Sequence, residues 1–285
     1  MNRKFLVVML FMITSILYSF EEGFIWGLRA NFNGSLTLPS ISQEDLNKLS
    51  AAYMKGAVGY TMDGEAELGY LFGAERWFGK EKSDFSKFSG MSLYVSIGVG
   101  TGFSGMVAGN TLQVGTNSAV SAQMFMNVNY KPVISFGIGS KLYLLESRMA
   151  IGLQLGIKTI VDTSPEYLAY SDMDFSGMGV KLPEIGEIVV TDFMKKNMNP
   201  VMFSLKLMLE YNQPINDRVE VVLGIYTRFN IYKPKYITMP DSLLGLINAA
   251  KKTQNAAEFN PQTPLNSYYI NSLDFGVTLG LQFRG

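Results

Sequence analysis

The chain has 285 residues, of which 47% are hydrophobic and only 17% are charged, and its 24 basic residues equal its 24 acidic residues. This balance argues against a nucleic-acid-binding protein, which normally carries a basic face. The chain contains neither cysteine nor histidine. Their absence excludes a disulfide framework and a serine–histidine hydrolase, and it removes the commonest metal ligand. We therefore expect no enzyme activity, no cofactor and no metal site.

The first residues have the pattern of a secretory signal peptide. A short basic segment at residues 2–4 precedes an apolar run over residues 5–17, and polarity returns at Glu21. A basic start followed by an apolar run of about 7–15 residues predicts export, here through the Sec pathway. We predict cleavage after Ser19. The alternative is an uncleaved anchor helix, for which the run is shorter than the roughly 18–20 residues that a spanning helix needs.

Beyond the signal peptide, apolar and polar residues alternate along most of the chain. Strict alternation predicts β-strands that each have one apolar face. In chain order, the nine predicted strands cover residues 24–32, 60–72, 92–100, 120–130, 134–144, 151–158, 201–211, 219–230 and 269–284. Many of them are longer than the five or six residues that are usual in soluble proteins. They match the about 9–11 residues with which a strand crosses a membrane.

Alternation alone is compatible with two architectures. A soluble sandwich hides the apolar faces between two sheets, whereas a membrane barrel turns them toward lipid. The strand length, the export signal and the aromatic residues near strand ends favour the barrel, because aromatic side chains collect at both membrane interfaces. These aromatic residues are Phe24, Trp26, Tyr70, Phe72, Tyr130, Phe203, Tyr211, Phe229 and Phe283. In a sandwich they would be core residues.

The links between the predicted strands differ in length. Short links are expected to be tight periplasmic turns, and long links are expected to be extracellular loops. The short links are residues 146–148 and 213–217, and the long links are residues 35–57, 163–199 and 233–267. Ser42 could cap a short helix in the first long loop, and Asp241 could cap another in the third.

The predicted strand number is odd, whereas bacterial barrels have even numbers of strands. Either a further strand lies within residues 104–118 or 176–193, or the break at residues 130–132 is a bulge rather than a reversal. We predict an all-β, antiparallel transmembrane barrel of about ten strands, with eight as the alternative. It forms a single domain over residues 20–285, after a signal peptide at residues 1–19.

The last strand, residues 273–283, resembles the C-terminal strand of bacterial outer-membrane proteins. It is apolar at every second position and ends in an aromatic residue: Phe275, Val277, Leu279, Leu281 and Phe283. Here Arg284 and Gly285 follow the aromatic residue that is otherwise last. Together with residues 65–70 and 95–100, this strand makes the chain look like a small outer-membrane barrel of the OmpW or opacity type, with a spirochaetal character. The resemblance implies the outer membrane as location, and outer-membrane lipid and the barrel-assembly machinery as partners.

The polar positions of the strands would face the barrel interior. The charged residues expected to line the lumen are Arg29, Asp63, Glu65, Glu67, Lys141, Lys158, Lys206, Glu210, Glu220, Arg228 and Asp274. Cations and anions are nearly balanced, which predicts ion pairing in the interior. A narrow barrel can be filled by its own side chains. Alternatively, inward-facing glycines would leave space for a polar conduit, or they mark bends of the sheet.

Two functions follow from this prediction. The first is porin-like passage of small solutes through a narrow lumen, for hydrophobic or amphipathic compounds as the OmpW resemblance implies. The alternative is a structural or surface-interaction barrel, adhesin-like, with a filled interior. An outer-membrane enzyme is disfavoured, because the hydrolases, proteases and acyltransferases known among such barrels rely on a histidine, which this chain lacks.

Overall fold

The computed structural model describes most of the chain downstream of the predicted signal peptide. The described residues are 22–48, 53–73, 88–114, 118–145, 147–161, 163–171, 201–233 and 269–285, with the backbone alone at 108–130 and 163–171. The predicted signal peptide, its cleavage site after Ser19 and the predicted helix after Asp241 lie outside these residues.

Ten antiparallel strands form one continuous sheet. They are β1 (Gly23–Ser40), β2 (Tyr53–Gly56), β3 (Val58–Gly73), β4 (Phe88–Val114), β5 (Ser118–Leu144), β6 (Met149–Ile160), β7 (Thr163–Ser171), β8 (Val201–Asn216), β9 (Val219–Tyr232) and β10 (Tyr269–Arg284). A short helix, α1 (Gln43–Lys48), follows β1. Within the described part of the chain, no helix has the length and apolar character needed to cross a membrane.

Eight of the ten strands close into a ring. Neighbouring strands pair in the order β1, β3, β4, β5, β6, β8, β9 and β10, and β10 pairs again with β1. The closing pair is fully formed, from Ile25 opposite Arg284 to Ser40 opposite Tyr269. A closed ring has no free edge strand. The predicted antiparallel barrel is therefore confirmed.

The odd strand number has a simple origin. Residues 120–130 and 134–144, predicted as two strands, both belong to the single strand β5. The pairing of β4 with β5 shifts register between Gly100 and Gly102, opposite the cis peptide Lys131–Pro132. The break is therefore a bulge, one of the two predicted explanations. The sheet has ten strands, but the barrel itself is a ring of eight, which is the predicted alternative rather than the predicted ten.

Above this bulge, β4 and β5 continue beyond the ring. Their outer parts, residues 102–114 and 118–130, pair with each other, and β2 and β7 pair with them on either side. We call this four-stranded sheet the hairpin extension. At about 3.3 Å per residue, the outer part of β4 is about 40 Å long.

The two ends of the ring differ. The tight turns, Leu145–Arg148 and Asp217–Arg218, lie at the same end as both ends of the described chain, which we call the turn end. The link at residues 74–87, outside the described residues, also joins its strands there. The other links leave from the opposite end, the loop end. There the hydroxyl of Ser42 accepts a hydrogen bond from the Asp45 backbone amide at 3.2 Å, as predicted for the cap of a loop helix.

The side chains of the ring strands alternate between an apolar exterior and a polar interior. On β1, Leu28 and Phe32 are 52% and 50% exposed, whereas Arg29 and Asn31 are 3% and 0% exposed. A soluble sandwich would bury the apolar face instead. Apolar residues outside and charged residues inside are the arrangement of a transmembrane barrel, in which lipid covers the outer face.

Candidate functional site: the barrel interior

All charged residues predicted to line the lumen point into the ring. Ten of them are buried, and the Asp63 side chain is 13% exposed. The buried residues are Arg29, Glu65, Glu67, Lys141, Lys158, Lys206, Glu210, Glu220, Arg228 and Asp274. Eight of the eleven form two clusters, Lys158 pairs with Asp274, and Glu220 pairs with Arg284, so the predicted ion pairing is confirmed.

The cluster nearer the turn end, the lower ion cluster, consists of Arg29, Glu67, Lys141 and Glu210. Lys141 Nζ lies 2.7 Å from a Glu67 oxygen and 3.1 Å from a Glu210 oxygen. Arg29 lies 3.2 Å from the same Glu67 oxygen and 3.6 Å from Glu210. Each cation therefore contacts both carboxylates. Because the four residues come from β1, β3, β5 and β8, the cluster reaches across the lumen.

The upper ion cluster lies one layer closer to the loop end and contains Asp63, Glu65, Lys206 and Arg228. Lys206 Nζ lies 3.1 Å from Glu65, and Arg228 lies 3.2 Å from Asp63. The Asn31 amide donates to Asp63 at 2.6 Å and to Glu65 at 3.1 Å, which joins the two pairs. The strands that carry Glu65 and Lys206, β3 and β8, lie on opposite sides of the ring. This layer therefore also crosses the lumen.

An apolar layer lies between the lower ion cluster and the turn end. Ile25, Leu71, Tyr143 and Ala150 are buried together there. The Tyr143 hydroxyl comes within 3.5 Å of the Gln282 side-chain oxygen on the opposite side of the ring. The layer therefore reaches across the lumen from β5 to β10.

Four buried tyrosines were missed by the sequence analysis. Tyr94, Tyr143, Tyr226 and Tyr232 point inward, whereas the sequence analysis assigned them to neither face of their strands. Lys141 Nζ lies 4.9 Å from the ring centre of Tyr94, and Lys206 Nζ lies 4.8 Å from that of Tyr226. Cations bind favourably to aromatic faces at such distances. The alternation contained the signal, since each tyrosine falls on an inward position of its strand.

The inward-facing glycines make room for these large side chains. A side chain at Gly139 would collide with the Tyr94 ring, and one at Gly276 would collide with the Tyr226 ring. At Gly152 the space is taken by Met208. The glycines therefore do not leave a conduit at these positions, because neighbouring side chains occupy the space.

A cavity of about 50 Å³ lies above the upper ion cluster, near the loop end. Lys158 and Asp274 lie at its base, where Lys158 Nζ is 3.9 Å from an Asp274 oxygen. Hydroxyl-bearing residues such as Ser35, Ser135 and Ser272 form much of its wall. The cavity enters the interior only as far as the upper ion cluster.

The exterior carries a continuous apolar surface with aromatic residues near the turn end. Trp26 and Phe283 stack with their ring centres 3.9 Å apart, and the rings of Phe24 and Tyr70 meet edge-on at 5.4 Å. Side chains predicted to face lipid on β10 are exposed: Phe275, Val277, Leu279 and Leu281. A hydrogen-bonded ring with an apolar exterior satisfies its backbone groups internally, as a membrane requires.

The two residues after Phe283 do not disturb this surface. Arg284 turns inward and pairs with Glu220 at 2.8 Å. The Gly285 amide donates to the Phe24 carbonyl at 2.9 Å, which extends the pairing with β1. The predicted recognition of this strand by the barrel-assembly machinery stays a prediction.

No protein-family model matches the chain, and no curated protein matches its sequence. Among solved structures, it is similar to Neisserial surface protein A (NspA), with 7% identity, a TM-score of 0.30, and coverage of 91% of this chain and 97% of that one. OprG, an outer-membrane protein from Pseudomonas aeruginosa, shares 7% identity at a TM-score of 0.31, with 94% and 100% covered. The outer-membrane protease OmpT from Escherichia coli shares 9% identity at 0.33, with 93% and 98% covered. Likeness at these TM-scores does not establish a fold, which here follows from the closed sheet itself.

Proposed function

We propose that the chain is a bacterial outer-membrane barrel that does not conduct solutes and serves at the cell surface in a structural or adhesin-like role. The observation that carries this proposal is the interior, which two ion clusters and an apolar layer cross. An ion that passed through would have to separate buried pairs such as Lys141–Glu67. Removing one partner from a buried pair costs about 3–5 kcal/mol, so these pairs resist opening.

The exterior supports the outer membrane as location. Exposed aliphatic residues surround the ring, and exposed aromatic residues lie near both ends, such as Trp26 at the turn end and Tyr60 at the loop end. Closed antiparallel barrels with lipid-facing apolar bands are characteristic of that membrane. The finer assignment to an OmpW or opacity type, and to spirochaetes, remains part of the proposal.

We place the loop end outside the cell. The tight turns lie at the turn end and the hairpin extension lies at the loop end, where the described strands that most of the long links join also end. In outer-membrane barrels, short turns face the periplasm and long loops face outward. An extension of about 40 Å would then stand above the membrane, where it could meet other surface molecules.

Porin-like passage remains the second candidate, and one observation favours it. The cavity at the loop end gives polar access to the interior as far as Lys158 and Asp274. Conduction would require that the ion clusters and the apolar layer open together.

Single-channel recording separates the two candidates. We expect the purified full-length barrel, inserted into a planar bilayer, to give no discrete current steps because its lumen is filled. A conducting porin added to the same bilayer is the control for membrane quality. The insertion of our chain is checked by its heat-modifiable mobility on a detergent gel. Regular current steps from the inserted barrel would reject the closed barrel and support porin-like passage.

Cysteine labelling gives an independent test, because the natural chain has no cysteine. In intact cells, a charged thiol reagent should modify Ser135→Cys, which lines the cavity, but not Ser96→Cys. Ser96 is buried beside the upper ion cluster and accepts a hydrogen bond from Gln154 at 2.7 Å. Equal modification of both variants would indicate a continuous water path. Modification of neither in intact cells, but of Ser135→Cys in purified barrel, would reject the proposed orientation.

A further inference from the structure

Lys158, at the base of the loop-end cavity, is a buried cation that has no hydrogen-bond acceptor among the residues that the structure describes. It is 7% exposed, and its nearest carboxylate oxygen, on Asp274, lies 3.9 Å away. Hydrogen bonds to an ammonium group are shorter than about 3.2 Å. No described residue accepts a hydrogen bond from Lys158. Since Lys158 lines the cavity, its N–H donors are available to a molecule bound there.

Asp274 is already satisfied by other donors. The Ser35 and Ser272 hydroxyls donate to one of its oxygens at 2.7 and 3.2 Å. The Asn230 amide donates to the other oxygen at 2.7 Å. Lys158 thus neutralises the charge of this carboxylate without a hydrogen bond, and the hydrogen bonds to Asp274 come from uncharged groups.

Asn230 carries a second polar group at the cavity that lacks a hydrogen-bond partner among the described residues. It is 3% exposed, and within the described part of the chain its side-chain oxygen has no hydrogen-bond partner. A buried polar atom without a partner costs about 1–3 kcal/mol. Since Lys158 Nζ and Asn230 Nδ2 lie 3.9 and 2.7 Å from the same Asp274 oxygen, the unfilled donors and the unfilled acceptor are close together.

We propose that the loop-end cavity binds a neutral polyhydroxyl molecule, with one vicinal diol of a sugar placed between Lys158 and Asn230. A hydroxyl both accepts and donates, so one hydroxyl can accept from Lys158 while its neighbour donates to Asn230. The enclosed volume of about 50 Å³ holds about three to five waters, which the four heavy atoms of a diol can replace. The ring carbons of the sugar would face the apolar rim at Val133, Met202 and Ile270.

The charges of the site favour a neutral ligand over an ion. Lys158 and Arg228 balance Asp63 and Asp274, and Arg228 is held by Asp63 at 3.2 Å. An anion near Lys158 would also approach Asp274, and a cation near Asp274 would approach Lys158. A hydroxyl group satisfies the unfilled atoms and leaves this balance unchanged. Binding of a ligand at this cavity does not depend on whether the barrel conducts solutes.

Ligand-observed NMR and calorimetry on the full-length barrel test the site, in an amine-oxide detergent that carries no sugar headgroup. The probe is methyl α-D-glucopyranoside, with acetate and methylammonium as the anionic and cationic comparisons. We expect the glycoside to bind and to bind at least tenfold more weakly to Lys158→Met and to Asn230→Leu. The matched control is Asn212→Leu, because Asn212 is also buried with an unpartnered side-chain oxygen but lies at the turn end. Its affinity should be unchanged.

Ser135→Val provides a second variant that fills the cavity without altering a charge, in case Lys158→Met does not fold. It should weaken glycoside binding by a similar factor while the barrel stays heat-modifiable. The proposal is overturned if the natural chain shows no glycoside binding, which would mean that the cavity holds water only. It is also overturned by tighter binding of acetate or methylammonium, or by unchanged affinity in folded variants of the cavity.

Discussion

The buried charged residues are the positions at which we expect a single substitution to lower stability most. In the lower ion cluster, Lys141 neutralises part of the charge of both Glu67 and Glu210. In Lys141→Met, Arg29 is the one cation of the cluster that remains beside its two buried carboxylates. We expect a loss of about 3–5 kcal/mol in the free energy of unfolding, because one partner of a buried cluster is removed. Urea unfolding in phospholipid vesicles, followed by tryptophan fluorescence, measures this loss.

The matched control for this prediction is Lys131→Met. Lys131 is exposed at the bulge of β5, and exposed positions usually change stability by less than about 0.5 kcal/mol. Similar losses in the two variants would show that the cluster contributes no more than a surface lysine.

Inward glycines allow a second test at the scale of single residues. In Gly139→Ala, the added methyl group collides with the Tyr94 ring and the Leu153 carbonyl. We expect a loss of about 1–3 kcal/mol, as for other overpacked interiors. Gly34→Ala is the control, since a methyl group there meets no atom within 4 Å. If urea unfolding gives equal stabilities, Tyr94 does not fill the space above Gly139.

Alternation predicted the position of the charged residues, because a side chain changes face at every step along a strand. The same rule places Tyr94 inward between Leu93 and Val95, yet the sequence analysis left Tyr94 unassigned to either face. The partners within each ion cluster could not be predicted. They depend on the register of strands that are distant in the sequence, such as β3 and β8.

At the scale of strands, the exposed face of β8 gives a test of lipid contact. Leu207 lies in the middle of the strand, and Ile215 lies next to the turn; both are exposed. In lipid vesicles, Leu207→Arg should lower the free energy of unfolding by about 2–4 kcal/mol, and Ile215→Arg by about 0–1 kcal/mol. The difference arises because an arginine near the interface reaches water. Equal and small effects would mean that this face does not contact the hydrocarbon.

The long strands were predicted well where one face is apolar, and poorly where this contrast is lost. β4 was predicted at residues 92–100 but spans Phe88–Val114. Its outer part is rich in glycine and polar residues, so it carries little alternation. In β5, Pro132 lacks a backbone donor and usually ends a central strand. Here the strand continues through a bulge, which sequence patterns alone do not distinguish from a reversal.

At the scale of the whole molecule, the ring and the hairpin extension are built from the same two strands, and Phe103 at the base of the extension still pairs with Tyr60 of the ring strand β3. Within the ring, β4 and β5 pair from Met91 opposite Leu142 to Gly100 opposite Val133. Above the bulge, they pair with each other and with β2 and β7. Closure of the ring therefore does not depend on the pairing in the extension.

Shortening the extension tests this separation. Because Met106 lies opposite Met126, residues 107–125 can be replaced by Asn-Gly, which forms a two-residue hairpin turn between paired strands. We expect the shortened chain to insert into vesicles and to keep its heat-modifiable mobility, since every strand pair of the ring is retained. The free energy of unfolding should change by no more than about 1 kcal/mol, the typical effect of a single substitution. Loss of the heat-modifiable form would show that the barrel needs its extension in order to close, and would favour a single cooperative unit from the turn end to the tip.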